Sequence, residues 1–235
     1  MMGRNTRNET RRKRNPLLPI LSSLLVFSSL EASEILIDAT VAVVGKRVLT
    51  LRDVEGDLLI DQLLAGKKPT DTSLPAPAVL QKARQNMIHR ALIRKYLSST
   101  GLLAGEPEDR FKRLSDAVRA PFPSQDQMNA FLAQRGLSPS AFNDLLMDRA
   151  LEEMFLKEQL PLRVKVSEND VKAYYEREKS RRFLDKPFGS VEKIVRESAV
   201  REKLDQEFQK WLDDETHRTE ILLLPLPGED PTSGR

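Results

Sequence analysis

The feature that most restricts the fold is a short apolar segment near the C-terminus, "TEILLLPLP". Its residues Ile221 to Leu224, followed by proline, are typical of a β-strand. A strand must pair its backbone N–H and C=O groups, because unpaired buried amides are costly. The other strand pattern lies at the opposite end of the chain, where Ile35–Val44 and Val48–Leu49 flank the turn signal "GKR". The sequence therefore predicts that both ends of the chain meet in one small sheet.

The chain between these strands has the pattern of helices. Apolar residues recur at three- and four-residue spacing, which predicts helices with one buried face. Thr50 with Asp53, and Ser167 with Asp170, match the capping box that begins a helix. Predicted helices cover about 50–66, 79–99, 107–118, 124–136 and 138–160, then a segment from 167 and another over 190–216. The predicted fold class is mainly α: one helical domain with a small antiparallel β-sheet formed by the N-terminal hairpin and the C-terminal strand.

Residues 1–32 are expected to be a secretory signal peptide. A basic segment precedes a 14-residue apolar stretch, Leu17–Leu30, and the small residue Ala32 offers a cleavage position. This stretch contains four serines and is shorter than the roughly 20 apolar residues that a membrane-spanning helix needs. An uncleaved signal anchor is the alternative. The expected location is the periplasm, with no membrane span in the mature protein, and the polar tail 228–235 is expected to be disordered.

The charge of the chain is concentrated in this first segment. The whole sequence has 38 basic and 35 acidic residues, and the first 32 residues contribute six basic and two acidic ones. The remainder therefore has 32 basic and 33 acidic residues and is close to neutral. A neutral body does not favour nucleic-acid binding. The absence of cysteine excludes disulfides, thiolate metal sites and cysteine nucleophiles.

The sequence offers no recognisable catalytic or metal-binding motif. Its two histidines, His89 and His217, are far apart and lack a partner at metal-ligand spacing. HExxH, glycine-rich phosphate-loop and GxSxG motifs are absent from the sequence. The acidic cluster Asp213–Glu215 is interpreted as the solvated end of a helix. We therefore expect no catalytic residue, metal or cofactor, and interpret the chain as a mainly helical binding protein.

The order of several segments resembles a known family. These segments are "VAVVGKRVLTLRDVEG", "SQDQMNAFLAQRGLSPSAFNDLLMDRALEEMFLKEQL", "VSENDVKAYYEREK" and "PFGSVEKIVRESAVREKLDQEFQKWLDDETHRTEILLL". In this order they resemble the chaperone part of SurA/PpiC-type periplasmic folding factors over about Ile35 to Leu224. The resemblance implies an ATP-independent chaperone domain, 33–227, in which an N-terminal part, 33–179, packs with a closing helix and strand, 188–227. It also implies that the partners are unfolded or extended outer-membrane and exported proteins.

Members of this family commonly carry a parvulin-type prolyl isomerase domain after the helix that matches "VSENDVKAYYEREK". Such a domain needs roughly 90 residues. Here only the eight residues Ser180–Pro187 separate the flanking segments. The resemblance therefore implies a chaperone without an isomerase domain. A dedicated adaptor with one folded partner and a degenerate isomerase are alternative functions, and a homodimer, including a swapped one, is an alternative assembly.

Flexible and aromatic side chains on the middle helices are the candidate contacts to a bound polypeptide, since methionine adapts to varied surfaces. The candidates are Met128, Phe131, Met147, Met154 and Phe155. Core packing is the alternative interpretation of each. The tyrosine pair Tyr174–Tyr175 occupies adjacent helical positions, which face different ways. We therefore expect one tyrosine in the core and the other at its rim.

Overall fold

The structure is a computed structural model that describes residues 38–102 and 107–229. The predicted signal peptide, 1–32, and residues 230–235 of the predicted tail lie outside the described residues. The first two residues of the predicted tail, Gly228 and Glu229, are described, and Glu229 makes side-chain contacts. Its carboxylate accepts a hydrogen bond from the backbone of Leu226 at 2.9 Å and pairs with Arg84 at 3.4 Å.

The two ends of the described chain meet in one sheet. Thr40–Val44 (β1) and Arg47–Thr50 (β2) form an antiparallel hairpin, and Ile221–Leu223 (β3) pairs antiparallel with the other side of β1. The strand order is β2-β1-β3. The predicted meeting of the chain ends is thus confirmed.

Seven α-helices lie between the strands in the described residues. They are α1 (Leu51–Leu64), α2 (Pro77–Ser99), α3 (Glu108–Arg119), α4 (Gln125–Ala133), α5 (Pro139–Met154), α6 (Glu168–Arg182) and α7 (Phe188–His217). The predicted mainly-α class is confirmed. The predicted helix over 138–160 is interrupted, because a π-helical turn, Phe155–Gln159, and a 3-10 turn, Pro161–Arg163, follow α5. No helix in the described ranges is long and apolar enough to cross a membrane.

The helix starts are fixed by local side-chain chemistry. The Thr50 hydroxyl accepts from the backbone of Asp53 at 3.1 Å, and the Asp53 carboxylate accepts from the backbone of Thr50 at 3.0 Å. Ser167 and Asp170 make the same reciprocal pair at the start of α6. Both predicted capping boxes are confirmed, and each satisfies backbone donors that a helix start leaves unpaired.

The buried apolar residues form two clusters. The main core joins the sheet, helices α1–α5 and the C-terminal half of α7, and its largest fully buried side chains are Phe142 and Phe155. The second cluster joins α6 to the first half of α7. Its buried members are Val171, Tyr174, Tyr175, Phe183, Val191, Val195 and Ala199. Helix α7 therefore contributes to both clusters.

Both tyrosines of α6 are buried, so the prediction that one lies at the rim is wrong. Phe183, the first residue of the joint between α6 and α7, contacts both rings. Tyr174 packs edge-on against Phe183, and Tyr175 stacks on the same ring. The Tyr175 hydroxyl donates to the carbonyl of Lys186 at 2.7 Å.

This joint is a short, structured turn. Helix α6 continues to Arg182 and α7 begins at Phe188, so the joint is shorter than the predicted eight residues. Leu184 and Asp185 adopt left-handed backbone conformations, with φ of 50° and 56°. The Asp185 carboxylate accepts from the Ser180 hydroxyl at 2.9 Å. The turn is therefore held by α6 itself.

A buried ionic network connects three helices. The Asp57 carboxylate of α1 accepts from Arg90 of α2 at 2.6 Å and from Nε of Arg149 of α5 at 2.9 Å. Arg90 also pairs with Glu152 at 2.7 Å, and Arg149 with Asp61 at 2.5 Å. Burial alone would lower the pKa of Arg90, but Asp57 and Glu152 together raise it. These charges are therefore paired inside the fold.

Candidate functional site

The five candidate contact residues from the sequence lie in or against the main core. Met128, Phe131, Met154 and Phe155 are buried, and Met147 is partly buried. Phe131 packs against Phe122 at a ring distance of 5.0 Å, under the guanidinium of Arg135. The first four are at most 8% exposed, and the role of all five as polypeptide contacts stays a prediction.

Phe155 is the centre of an aromatic cluster between α2, the π-helical turn and α7. Its ring lies 4.4 Å from Trp211 and 5.8 Å from Tyr96, and Phe208 stacks on Trp211. The indole N–H of Trp211 is buried without a hydrogen-bond partner among the described residues. T-shaped contact with Tyr96 at 5.6 Å gives the indole an aromatic neighbour instead. The cluster thus holds α7 on the body, with Phe155 and Trp211 buried and Tyr96 and Phe208 partly buried.

A different surface, formed by the sheet, presents apolar side chains to solvent. Val48, Leu222 and Leu223 are 52%, 54% and 55% exposed. Val43 lies opposite Val48 on one side and Leu222 on the other, so these three side chains form one row across the face of the sheet. Leu223 lies opposite Ala42 and is exposed on the other face of β3, at the open edge of the sheet. We call the row of Val43, Val48 and Leu222 the apolar sheet surface.

The outer edge of β3 has backbone groups without a partner among the described residues. The carbonyl of Glu220 accepts from Gly45 at 2.8 Å, and the N–H of Leu224 donates to Val41 at 3.1 Å. Even-numbered residues of β3 therefore face β1, and alternation points the N–H and C=O groups of Ile221 and Leu223 away from it. No strand pairs with this edge in the part of the chain that the structure describes.

The opposite edge of the sheet, on β2, has fewer outward backbone N–H and C=O groups than the β3 edge. In an antiparallel pair, hydrogen-bonded and non-hydrogen-bonded positions alternate. In the pairs Val44–Arg47 and Val43–Val48, this pattern points the backbone N–H and C=O of Val48 away from β1. The next outward position is Thr50, whose N–H already donates to Asp53. The β3 edge thus has two free residues and the β2 edge has one.

A cleft of about 480 Å³ lies beside β2 and borders the apolar sheet surface at Val48. Its charged lining residues are Lys46, Arg47, Asp53, Arg94 and Asp144. Burial alone would lower the pKa of Arg47, but its hydrogen bond and charge pairing with Asp148 raise that pKa overall. The cleft has both signs of charge, and no group of three or more candidate metal ligands occurs in residues 38–102 or 107–229. It therefore provides a polar border to the apolar surface.

No protein-family model matches the chain, and a search of curated proteins finds no match. The functional interpretation therefore depends on the exposed surfaces and on the sequence patterns described above.

Sequence reasoning missed Val48, Leu222 and Leu223 as surface residues. The strand signal in "TEILLLPLP" was clear, and a strand at the end of a small sheet has an open edge. The alternation of apolar residues did not show which side chains face outward, because all residues from Ile221 to Leu224 are apolar. The outward row depends on register, which includes an irregularity between Thr40 and Ala42.

Proposed function

We propose that the protein is a periplasmic, ATP-independent chaperone that binds unfolded or extended polypeptides and prevents their aggregation. The observation that carries this proposal is the apolar sheet surface, on which Val48 and Leu222 are more than half exposed, together with exposed Leu223 on the outer β3 edge, with which no strand pairs within the described residues. Unfolded chains expose apolar side chains and unpaired backbone, which such a surface complements. The signal-peptide pattern of residues 1–32 supports the location, and the resemblance to SurA/PpiC-type chaperones supports the activity.

The size of the surface indicates weak binding. Fully burying a valine or leucine side chain contributes about 1.5–3 kcal/mol, so covering the exposed halves of Val48, Leu222 and, on the other face, Leu223 contributes about 3 kcal/mol. Backbone hydrogen bonds add to this, while ordering the polypeptide opposes it. Weak binding with rapid release suits a chaperone that uses no nucleotide to discharge its client.

An aggregation assay tests the proposal. A urea-unfolded outer-membrane β-barrel protein is diluted into buffer with the full chain at equimolar concentration and without nucleotide, and light scattering is followed. We expect slower and smaller aggregation than with an equal mass of an unrelated folded protein. Unchanged aggregation, with circular dichroism showing that the chain is folded, would contradict the proposal.

A further inference from the structure

We infer that the bound polypeptide adds to the sheet as a fourth strand along β3. This inference rests on the proposed chaperone function and specifies its site and the class of segment that it binds. The segment is an extended run of about three apolar residues next to a lysine or arginine.

Backbone geometry gives the edge its length. Ile221 and Leu223 each present one N–H and one C=O outward, which allows four hydrogen bonds to an added strand. This stretch of outward backbone groups ends on both sides, because the next outward residues, Thr219 and Pro225, cannot donate to an added strand. The N–H of Thr219 donates to Thr216, and Pro225 has no N–H. A bound segment therefore pairs over about three to five residues.

Side chains on β3 give the edge its specificity. Leu222 and Leu223 are exposed on opposite faces of the strand, and Ile221 is partly exposed. A paired segment places one residue beside Leu222, extending the row through Val43 and Val48, and its two neighbours beside Ile221 and Leu223. All three positions favour apolar residues.

A negative charge at one end of the β3 edge favours a bound segment with a basic residue at that end. Glu220 is exposed and immediately precedes β3. A basic residue at the adjacent end of the bound segment would face its carboxylate, since opposite charges across neighbouring strands attract. A second copy of this chain paired about Leu222 would instead place Glu220 against Leu224, an apolar residue. The edge therefore fits a basic-flanked apolar segment better than its own copy.

Two substitutions at one position separate backbone pairing from side-chain contact. Leu223→Pro removes an outward N–H without removing a hydrogen bond to β1, whereas Leu223→Ala keeps that N–H. The probe is a fluorescein-labelled peptide with a central Val-Phe-Val-Lys sequence and Gly/Ser flanks, measured by fluorescence anisotropy with the full chain. We expect Leu223→Pro to weaken binding about tenfold more than Leu223→Ala, because proline lacks the outward N–H and so loses one of the four edge hydrogen bonds.

A modified peptide tests the same pairing on the unsubstituted protein. Methylation of the central peptide nitrogens removes donors from the probe, and we expect at least a tenfold loss of affinity. Equal binding of the proline and alanine variants, or of the methylated and unmethylated peptides, would overturn the inference. A doubled mass in sedimentation without peptide, abolished by Leu223→Pro, would also overturn it by assigning the edge to a second copy.

The aggregation assay distinguishes failure of the strand-addition inference from failure of the proposed chaperone function. If the wild-type chain suppresses aggregation while Leu223→Pro binds the probe as tightly as Leu223→Ala, the strand-addition inference fails and the chaperone function stands. If the folded wild-type chain neither suppresses aggregation nor binds the probe, the chaperone function itself fails.

Discussion

Replacement of Asp57 by asparagine removes a negative charge from the buried ionic network while keeping the size of the side chain. The Asp57 carboxylate is 3% exposed and pairs with both Arg90 and Arg149. Its loss leaves two guanidinium groups, 8% and 12% exposed, facing a neutral amide, with Glu152 and Asp61 as their remaining acidic partners. Asp61 provides a matched control, because it pairs with the same Arg149 but is 56% exposed.

The two substitutions should differ greatly in their effect on the free energy of unfolding. Removal of one partner from a buried ion pair costs about 3–5 kcal/mol, because the other charge stays buried and uncompensated. Asparagine keeps a carbonyl acceptor, and Glu152 and Asp61 still pair with the two arginines, so we expect Asp57→Asn to cost about 3 kcal/mol, the lower end of that range. Asp61→Asn should cost less than about 1 kcal/mol, since water solvates the exposed end of that pair.

Urea unfolding of the full chain, followed by helical circular dichroism, measures both values. The dependence of the unfolding free energy on urea should stay the same for both variants, so that the midpoint reports stability. If Asp57→Asn costs no more than Asp61→Asn, the network is not a source of stability, and its buried charges are better solvated than their exposure indicates.

Three further substitutions test the core, the joint and the pH response, each by urea unfolding. Phe155→Ala should cost about 3–5 kcal/mol, because it empties the centre of the aromatic cluster; a cost below about 1 kcal/mol would contradict its placement. Leu184→Gly should stabilise by up to about 1 kcal/mol, since it relieves a left-handed backbone at a side chain that is 75% exposed; destabilisation would contradict the turn geometry. Burial lowers the pKa of His89 below its ordinary value of about 6.5, so the folded state binds that proton less tightly than the unfolded chain. Stability should therefore fall as pH decreases from 7 to 5, and His89→Gln should lose less over this window than the wild type; an equal loss would refute the role of His89.

The elements with local or backbone-based causes could be predicted from the sequence. The capping residues Thr50 and Ser167 act on donors two or three positions away, so their pattern identifies the helix starts. The pairing of the C-terminal strand with the N-terminal hairpin followed from the need to satisfy backbone groups. Helix periodicity gave the existence of the helices because each must bury one face.

The features set by tertiary packing could not be predicted. The π-helical turn at Phe155 and the burial of both Tyr174 and Tyr175 depend on neighbours that sequence spacing does not identify. The exposed positions Val48 and Leu222 depend on strand register, which a one-residue change would reverse. The sequence therefore led to the buried aromatic and methionine residues as contact candidates, whereas the structure exposes a different apolar set on the sheet.

The most direct test of the chaperone proposal measures aggregation of the unfolded β-barrel protein in the presence of surface variants. The double variant Val48→Ser with Leu222→Ser removes the two most exposed side chains of the outer row, while Ile194→Ser on α7 alters a side chain that is 57% exposed in the second cluster region. We predict that the double variant loses most of the protection and that Ile194→Ser protects like the wild type, with all three proteins folded. Full protection by the double variant would contradict the assignment of client binding to the apolar sheet surface.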